Sequence, residues 1–159
     1  MLTIRDATID DAALLRRMIG ELADFEKELD QVLITETDIA RNGFGANPQF
    51  RALIAEWHGQ PAGYALFFDY YSSWHGAGFY LEDLFVRSDF RGRGIGTALL
   101  VRVAQTAEQE SRMFIRWEVL HWNQPAIEMY KALGADFLDE WRSAFLTGDS
   151  LRKLAEKDS

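Results

Sequence analysis

The residues with the clearest chemistry form a glycine-rich turn past the middle of the chain. Positions 91–96 read Arg91, Gly92, Arg93, Gly94, Ile95 and Gly96. Glycine allows the backbone N–H groups of such a turn to approach an anion closely. A helix that starts there adds partial positive charge and unpaired donors, and the two arginines add full charges. The turn is therefore predicted to bind a pyrophosphate group.

Two better-known phosphate motifs fit this turn less well. The P-loop needs Gly-x-x-x-x-Gly-Lys-Ser/Thr, and the segment has no such lysine. The dinucleotide fingerprint needs a third glycine where Thr97 stands, and it belongs in the first strand–helix unit of a chain. A dinucleotide-binding protein is thus disfavoured, and a glycine-rich loop without a ligand is the plain structural alternative.

The elements that must position the turn can be read from the periodicity of apolar residues. Residues 79–86 are typical of a buried central strand, and residues 95–110 of an amphipathic helix. Further strands are predicted at 2–5, 50–57, 62–70, 113–120 and 136–147, and further helices at 8–25, from a capping box at 35–38, at 125–133 and at 151–157. Residues 72–78 are predicted to be a loop. This order predicts an α/β fold with a mixed sheet covered by helices.

Composition narrows the functional classes. The chain has 159 residues, a length typical of one domain, so residues 1–159 are predicted to form a single domain. It contains no cysteine, which excludes a disulfide scaffold and a cysteine nucleophile and is compatible with the cytoplasm. The net charge of −8 disfavours nucleic acid and favours small cations. No signal peptide or membrane span is predicted, and His58, His75 and His121 lack metal-ligand spacing.

The turn and the segments around it resemble the GNAT superfamily of N-acetyltransferases. Its Arg-x-x-Gly-x-Gly pattern is similar to the turn by which those enzymes hold the pyrophosphate of acetyl-CoA. Residues 80–86 (YLEDLFV), 121–130 (HWNQPAIEMY) and 33–45 extend the likeness over nearly the whole chain, and they resemble the spermidine/spermine (diamine) acetyltransferase branch. The resemblance implies a mostly antiparallel sheet with splayed central strands, acetyl-CoA as acetyl donor, a small primary amine as acceptor, no metal, and a homodimer.

The resemblance also assigns cofactor-binding positions. It implies that the backbone amides of Leu84, Phe85 and Val86 hold the pantetheine arm, while residues 91–96 hold the pyrophosphate. Asn123 matches a residue that contacts the cofactor. It is also a plausible N-cap of the helix that follows, and both roles can hold together.

Two residues match the catalytic positions of the family. The resemblance makes Glu82 the general base, acting directly or through water, and Tyr130 the general acid that protonates the CoA sulfur. The structural alternatives are that one of Glu82 and Asp83 is a carboxylate paired with an arginine, and that Tyr130 is a core aromatic. Because no cysteine is available to carry the acetyl group, direct transfer in a ternary complex is the simpler scheme.

Four residues match the acceptor-amine site of the family: Asp83, Glu26, Glu140 and Trp141. Strand alternation places the side chains of Glu82 and Asp83 on opposite faces, so a shared site requires a local bulge. An acidic site with aromatic walls suits an alkylammonium ion. Three other functions stay open: acetylation of a protein or peptide amine, a CoA-binding sensor without turnover, and the disfavoured dinucleotide-binding protein.

Overall fold

The strands form where apolar and aromatic runs are bounded by turn-forming residues. The computed structural model describes residues 1–157. The chain divides into two compact units, Met1–Leu120 and His121–Ser159. In chain order the elements are β1 (Leu2–Asp6), α1 (Ala12–Phe25), α2 (Glu36–Phe44), β2 (Arg51–Trp57), β3 (Gln60–Ser72), β4 (Gly76–Val86), α3 (Ile95–Gln109), β5 (Ile115–Trp117), α4 (Gln124–Ala132) and α5 (Gly148–Ala155).

The first unit contains a sheet of five described strands in the order β1-β2-β3-β4-β5. Strands β1 to β4 pair antiparallel with their neighbours, whereas β4 and β5 run parallel. Strands β2 and β3 are joined by His58 and Gly59, whose φ angles of 49° and 77° suit the tight hairpin turn that matches strand twist. The predicted mixed, mostly antiparallel sheet is therefore confirmed.

Strands β4 and β5 separate partway along β4. Parallel pairing with β5 covers Phe79 to Leu81 and ends at Trp117. Strand β4 continues to Val86 and keeps β3 as its neighbour on the other side. The predicted splay of the central strands is confirmed, and it leaves one edge of the second half of β4 without a strand partner in the first unit.

A β-bulge lies where the two strands separate. Leu66 on β3 pairs with Asp83, and the next residue, Phe67, pairs with Leu81. Glu82 is therefore the extra residue of β4. A bulge of this kind bends the strand and redirects side chains, which is the distortion that a shared Glu82–Asp83 site requires.

Helices cover both faces of the sheet. The buried side chains Leu15 and Met18 of α1 and Ile39 of α2 pack with Ile54 and Tyr64 of the sheet. Full burial of a large apolar side chain contributes about 1.5–3 kcal/mol, so this cluster is a main source of stability. Alternation along β2 points Leu53 and Ala55 to the opposite face, and α3 packs on the sheet through a separate buried stripe, formed by Ile95, Leu99, Leu100, Val103 and Ala107.

An ion pair fixes α1 to the end of β4. The guanidinium group of Arg87 donates to both carboxylate oxygens of Glu21, at 2.8 and 2.9 Å. The same guanidinium donates to the carbonyl of Pro61 at 3.2 Å, and the backbone N–H of Arg87 donates to Ala62. These contacts hold the start of the glycine-rich turn against both α1 and β3.

Several predicted elements need correction. Residues 136–147, predicted to be a strand, contain no strand, and the helix predicted at 151–157 is α5, which begins at Gly148. Trp141 and Phe145 are exposed, so the segment does not bury the apolar face that a half-buried strand would bury. The strand predicted at 113–120 is only Ile115–Trp117, and the loop predicted at 72–78 is shortened by the ends of β3 and β4.

Two further expectations concern the chain as a whole. The single domain predicted for residues 1–159 stays a prediction. Within residues 1–157, no helix has the length and apolar character needed to cross a bilayer.

We expect Gly63→Ala to destabilise the protein. A Cβ atom at Gly63 would lie 2.4 Å from the carbonyl oxygen of Phe85, a backbone atom of the paired strand that cannot move aside locally. Overpacking of this kind lowers the free energy of unfolding by about 1–3 kcal/mol, which urea unfolding would measure as a lower midpoint. Gly96→Ala is the control, because its Cβ would meet a Val86 methyl at an ordinary 3.6 Å. Equal stability of the Gly63→Ala variant and the wild type would contradict the expectation.

Candidate active site

The bulge on β4 places two adjacent carboxylates where the central strands separate. Asp83 is partly buried, and Glu82 retains more contact with solvent although part of its carboxylate is shielded. The Tyr64 hydroxyl donates a hydrogen bond of 2.8 Å to Oδ2 of Asp83. Within residues 1–157 neither carboxylate forms an ion pair with an arginine. The structural alternative for Glu82, pairing with an arginine, is therefore not what the structure contains.

Burial and repulsion between like charges make these carboxylates weaker acids. Burial raises the pKa of Asp83 to about 7, against the lowering effect of the Tyr64 hydrogen bond, and the charges of Glu82 and Glu26 add to the rise. The pKa of Glu82 is raised by loss of water around the carboxylate and by the charge of Glu118. The group as a whole has an uncompensated negative charge, which a cation would relieve.

Glu26 belongs to this acidic group although it comes from a different element. It follows the last residue of α1 and is the C-cap of that helix. Its pKa is raised by burial, then by the charges of Glu82 and Glu28. The first unit therefore brings together three of the predicted site residues, Glu26, Glu82 and Asp83.

The glycine-rich turn has the conformation that an anion site needs. Gly92 and Gly94 have φ angles of 75° and 74°, in the left-handed region that favours glycine. Nε of Arg91 donates to the carbonyl of Val86 at 3.0 Å, and its guanidinium group lies 4.7 Å from the centre of the Phe25 ring. These contacts hold the turn between the end of β4 and the end of α1.

The second arginine of the turn is also held in place. The guanidinium group of Arg93 lies 5.2 Å from the centre of the Trp57 ring, and Nη2 donates to the carbonyl of Asp89 at 3.3 Å. Both arginines are thus oriented by cation–π and hydrogen-bond contacts within the first unit. Less side-chain entropy is then lost when either one contacts an anion.

Helix α3 begins directly after the turn. Gly94 is its N-cap and has no side chain to occupy the first N–H groups of the helix. The amides of Ile95 and Gly96 lie in that first turn, where N–H groups have no acceptor within the helix. Together with the helix dipole and the two arginines, they fit a pyrophosphate group.

The open edge of β4 fits the remaining part of the donor. Beyond Leu81, strand β5 no longer pairs with β4, and the segment includes Leu84, Phe85 and Val86. An extended chain that carries amides can pair with such an edge as an added strand would. The pantetheine arm of acetyl-CoA carries two amides. The edge and the turn together therefore fit acetyl-CoA.

The other predicted site residues lie in the second unit. Asn123 is the N-cap residue of α4, and its carbonyl accepts from the N–H of Ile127, but its side chain forms no cap hydrogen bond. Tyr130 is a residue of α4 and is buried, with 6% of its surface exposed. Glu140 and Trp141 are exposed, and the N–H of Trp141 donates to Leu138. The roles of these four residues stay predictions.

Sequence reasoning missed two residues that act on this acidic group, Tyr64 and Glu118. Tyr64 lies in an apolar run of β3 and is indistinguishable by pattern from core aromatics. The one available signal is chemical, because a buried tyrosine hydroxyl requires a hydrogen-bond partner. Glu118 follows β5, and its proximity to Glu82 depends on where the parallel strand pairs.

Known proteins resemble this chain in sequence and in fold. Residues 16–135 match the acetyltransferase (GNAT) family. The thialysine N-epsilon-acetyltransferase of Sus scrofa is 41% identical to the chain over 165 residues, which cover 97% of each protein. The spermidine/spermine N(1)-acetyltransferase-like protein 1 of Homo sapiens is 38% identical over 83% of this chain and 20% of its own length. An integron cassette protein from the mobile metagenome of V. cholerae has the same fold, with a TM-score of 0.79, 24% identity and 98% of both chains covered.

The family match covers most of the chain, and the porcine relative is similar over nearly its full length. This chain therefore belongs to the acetyltransferase (GNAT) family.

Proposed function

We propose that this protein transfers the acetyl group of acetyl-CoA to a primary amine of a small, cationic acceptor. The observation that carries the proposal is the acidic group of Glu26, Glu82 and Asp83 beside a strand that leads into the anion-binding turn. A polyanionic donor suits the turn, and a cationic acceptor suits the carboxylates. The donor and the acceptor would thus bind next to each other, at the turn and at the second half of the strand that precedes it.

The donor is proposed to bind at the end of β4 and the start of α3. Arg91, Arg93 and the amides of residues 92–96 hold the pyrophosphate, and the backbone of residues 84–86 holds the pantetheine arm. Asn123 is proposed to add a contact from the second unit. Acetyl-CoA supplies the acetyl group as a thioester, which is activated for attack by an amine.

The acceptor is proposed to be a diamine, a polyamine, or an amino acid with a terminal amine, such as lysine or thialysine. Relatives named for thialysine and for spermidine and spermine support this class. Asp83 and Glu26 would bind its ammonium groups, and Glu140 and Trp141 would add an acidic and an aromatic contact. The net charge of −8 also attracts such cations over longer distances.

The reaction is proposed to be direct transfer within a ternary complex. Glu82, directly or through water, removes a proton from the ammonium group, because only the free amine has a lone pair. The amine nitrogen then attacks the carbonyl carbon, the new C–N bond forms, and the nitrogen gives its second proton to water as the C–S bond breaks. Tyr130 donates a proton to the sulfur, so that CoA leaves as the thiol, and the tyrosinate regains a proton from water.

Three further properties are part of this proposal. The chain acts as a single domain, it works in the cytoplasm, and it assembles as a homodimer. The resemblance to the diamine acetyltransferase branch supports the homodimer, and the lack of cysteine is compatible with the cytoplasm. Size-exclusion chromatography with light scattering would measure the oligomeric state.

A panel of amines tests the reaction. The protein is mixed with acetyl-CoA and spermidine, putrescine, lysine, thialysine or a peptide with a free amine, and thiol release is followed with a chromogenic reagent. We expect release that depends on one or more of the small amines. Release only with the peptide would indicate a protein acetyltransferase. Binding of acetyl-CoA in calorimetry without release by any amine would favour a sensor, and no binding of acetyl-CoA would overturn the proposal.

The titration of Asp83 predicts how activity depends on pH. Below its pKa of about 7, Asp83 is protonated and loses its attraction for the acceptor, so kcat/KM for the amine falls with decreasing pH. Deprotonation of the amine also raises the rate with pH, but it affects the wild type and Asp83→Asn equally. We therefore expect the ratio of the wild-type kcat/KM to that of Asp83→Asn to rise by about 10-fold from pH 6 to 8. A ratio that stays constant would remove Asp83 from acceptor binding.

The role of Tyr130 has its own test. Replacement by Phe keeps the ring in its buried position and removes only the proton donor. We expect kcat to fall about 100-fold, the order associated with a lost general acid, while the Kd for acetyl-CoA stays near its wild-type value. Wild-type turnover in the variant would exclude Tyr130 as the acid, and loss of acetyl-CoA binding would assign it a structural role.

A further inference from the structure

Tyr64 is a fully buried tyrosine whose hydroxyl group reaches the acidic group. Its side chain has 0% exposure, and its ring packs against Phe85 with centroids 6.2 Å apart. Its hydroxyl donates to Oδ2 of Asp83 at 2.8 Å. A core position filled only for volume would not need that hydroxyl, since phenylalanine fills nearly the same space.

The register of the sheet explains how the contact arises. Tyr64 pairs directly with Phe85, and Asp83 lies two residues before Phe85 on the same face of β4. Diagonal neighbours of this kind lie within reach of an aromatic side chain. The bulge at Glu82 lies just beyond Asp83, where regular pairing is interrupted. The hydroxyl of Tyr64 therefore holds the carboxylate of Asp83, the residue next to the point where regular pairing of β3 and β4 is interrupted.

The charges around Asp83 act against its ionisation. Glu82 on β4 and Glu26 at the end of α1 both repel its negative charge, and Glu118 after β5 acts on Glu82. The hydrogen bond from Tyr64 opposes that effect and lowers the pKa of Asp83. Burial and the charge of Asp83 hold the pKa of Tyr64 well above its usual value, so the hydroxyl remains a donor.

We propose that Tyr64 is a positioning residue for the acetyl acceptor, whose hydroxyl fixes the Asp83 carboxylate in the orientation and charge state that bind the ammonium group. This inference rests on the proposed function. A carboxylate accepts several hydrogen bonds, so the bond from Tyr64 leaves capacity for the substrate. Tyr64 itself does not touch the reacting atoms.

The first test is a single substitution that removes the hydroxyl group. We expect Tyr64→Phe to raise KM for the amine about 10-fold, the effect of losing one hydrogen bond to a charged group, with kcat changed less than about 2-fold. KM for acetyl-CoA should not change. Tyr71→Phe is the matched control, because Tyr71 lies on the same strand and is 75% exposed. An unchanged KM for the amine in Tyr64→Phe would overturn the proposal.

A double-substitution cycle separates positioning from general weakening of the fold. If Tyr64 acts through Asp83, then Tyr64→Phe has no further effect on the amine KM once Asp83 is Asn. Additive effects would contradict the proposal. Asp83→Asn alone must raise the amine KM at least as much as Tyr64→Phe, and an unchanged KM there would overturn the proposal even if Tyr64→Phe failed to fold.

A measurement without turnover distinguishes this inference from the proposed function. The side-chain carboxyl carbon of Asp83 is followed by ¹³C NMR during a pH titration and is assigned by its loss in Asp83→Asn. We expect its midpoint to rise by about one pH unit in Tyr64→Phe, and an unchanged midpoint would overturn the proposal. A wild type that acetylates no amine would refute the proposed function and the acceptor role together, whereas a shifted midpoint would still establish the hydrogen bond.

Discussion

Strand β4 has two strand neighbours in its first half and one in its second, and the candidate active site depends on that change. Sheets normally satisfy every backbone N–H and C=O group through adjacent strands. Here β5 stops pairing at Leu81, so the remainder of β4 is left with groups for an extended ligand. The bulge at Glu82 lies at the same point and redirects the carboxylates. One interruption of a regular sheet thus leaves an open strand edge beside a group of carboxylates, where the donor and the acceptor are proposed to bind.

The acidic group contrasts with the other carboxylates of the first unit. Glu21 is paired with Arg87, and Asp11 and Glu56 share Arg5. Those ion pairs connect elements, and each of these carboxylates has an arginine partner. Glu26, Glu82 and Asp83 instead repel one another, which weakens them as acids and disfavours the folded state at high pH. Proteins retain such unfavourable arrangements where a ligand relieves them, and a cationic acceptor would do so.

Most helices and strands of the first unit could be predicted from the sequence, because caps, turns and apolar periodicity depend on residues close together in the chain. The capping box at Thr35, the turn at His58-Gly59 and the apolar periodicity of α3 all act within a few residues. The acidic group is different, because Tyr64 and Glu26 reach Asp83 only through strand register and helix packing. The strand predicted at residues 136–147 was wrong for the converse reason: aromatic content indicated a strand, but the segment does not pair with any described strand. The bulge at Glu82 was predicted only as a requirement for a shared Glu82–Asp83 site, because no sequence pattern indicated it directly.

The three-residue contact between β4 and β5 also has consequences for folding. The β2–β3 and β3–β4 hairpins join neighbouring segments, whereas β5 joins β4 only after the α3 crossover, at greater cost in chain entropy. Such short, non-local pairing belongs to the low-stability end of a domain, where local opening and hydrogen exchange are fastest. A donor that pairs with the open edge of β4 would bind the folded state of the chain and not the unfolded state. Cellular acetyl-CoA would then act as a stabiliser of the fold as well as a reactant.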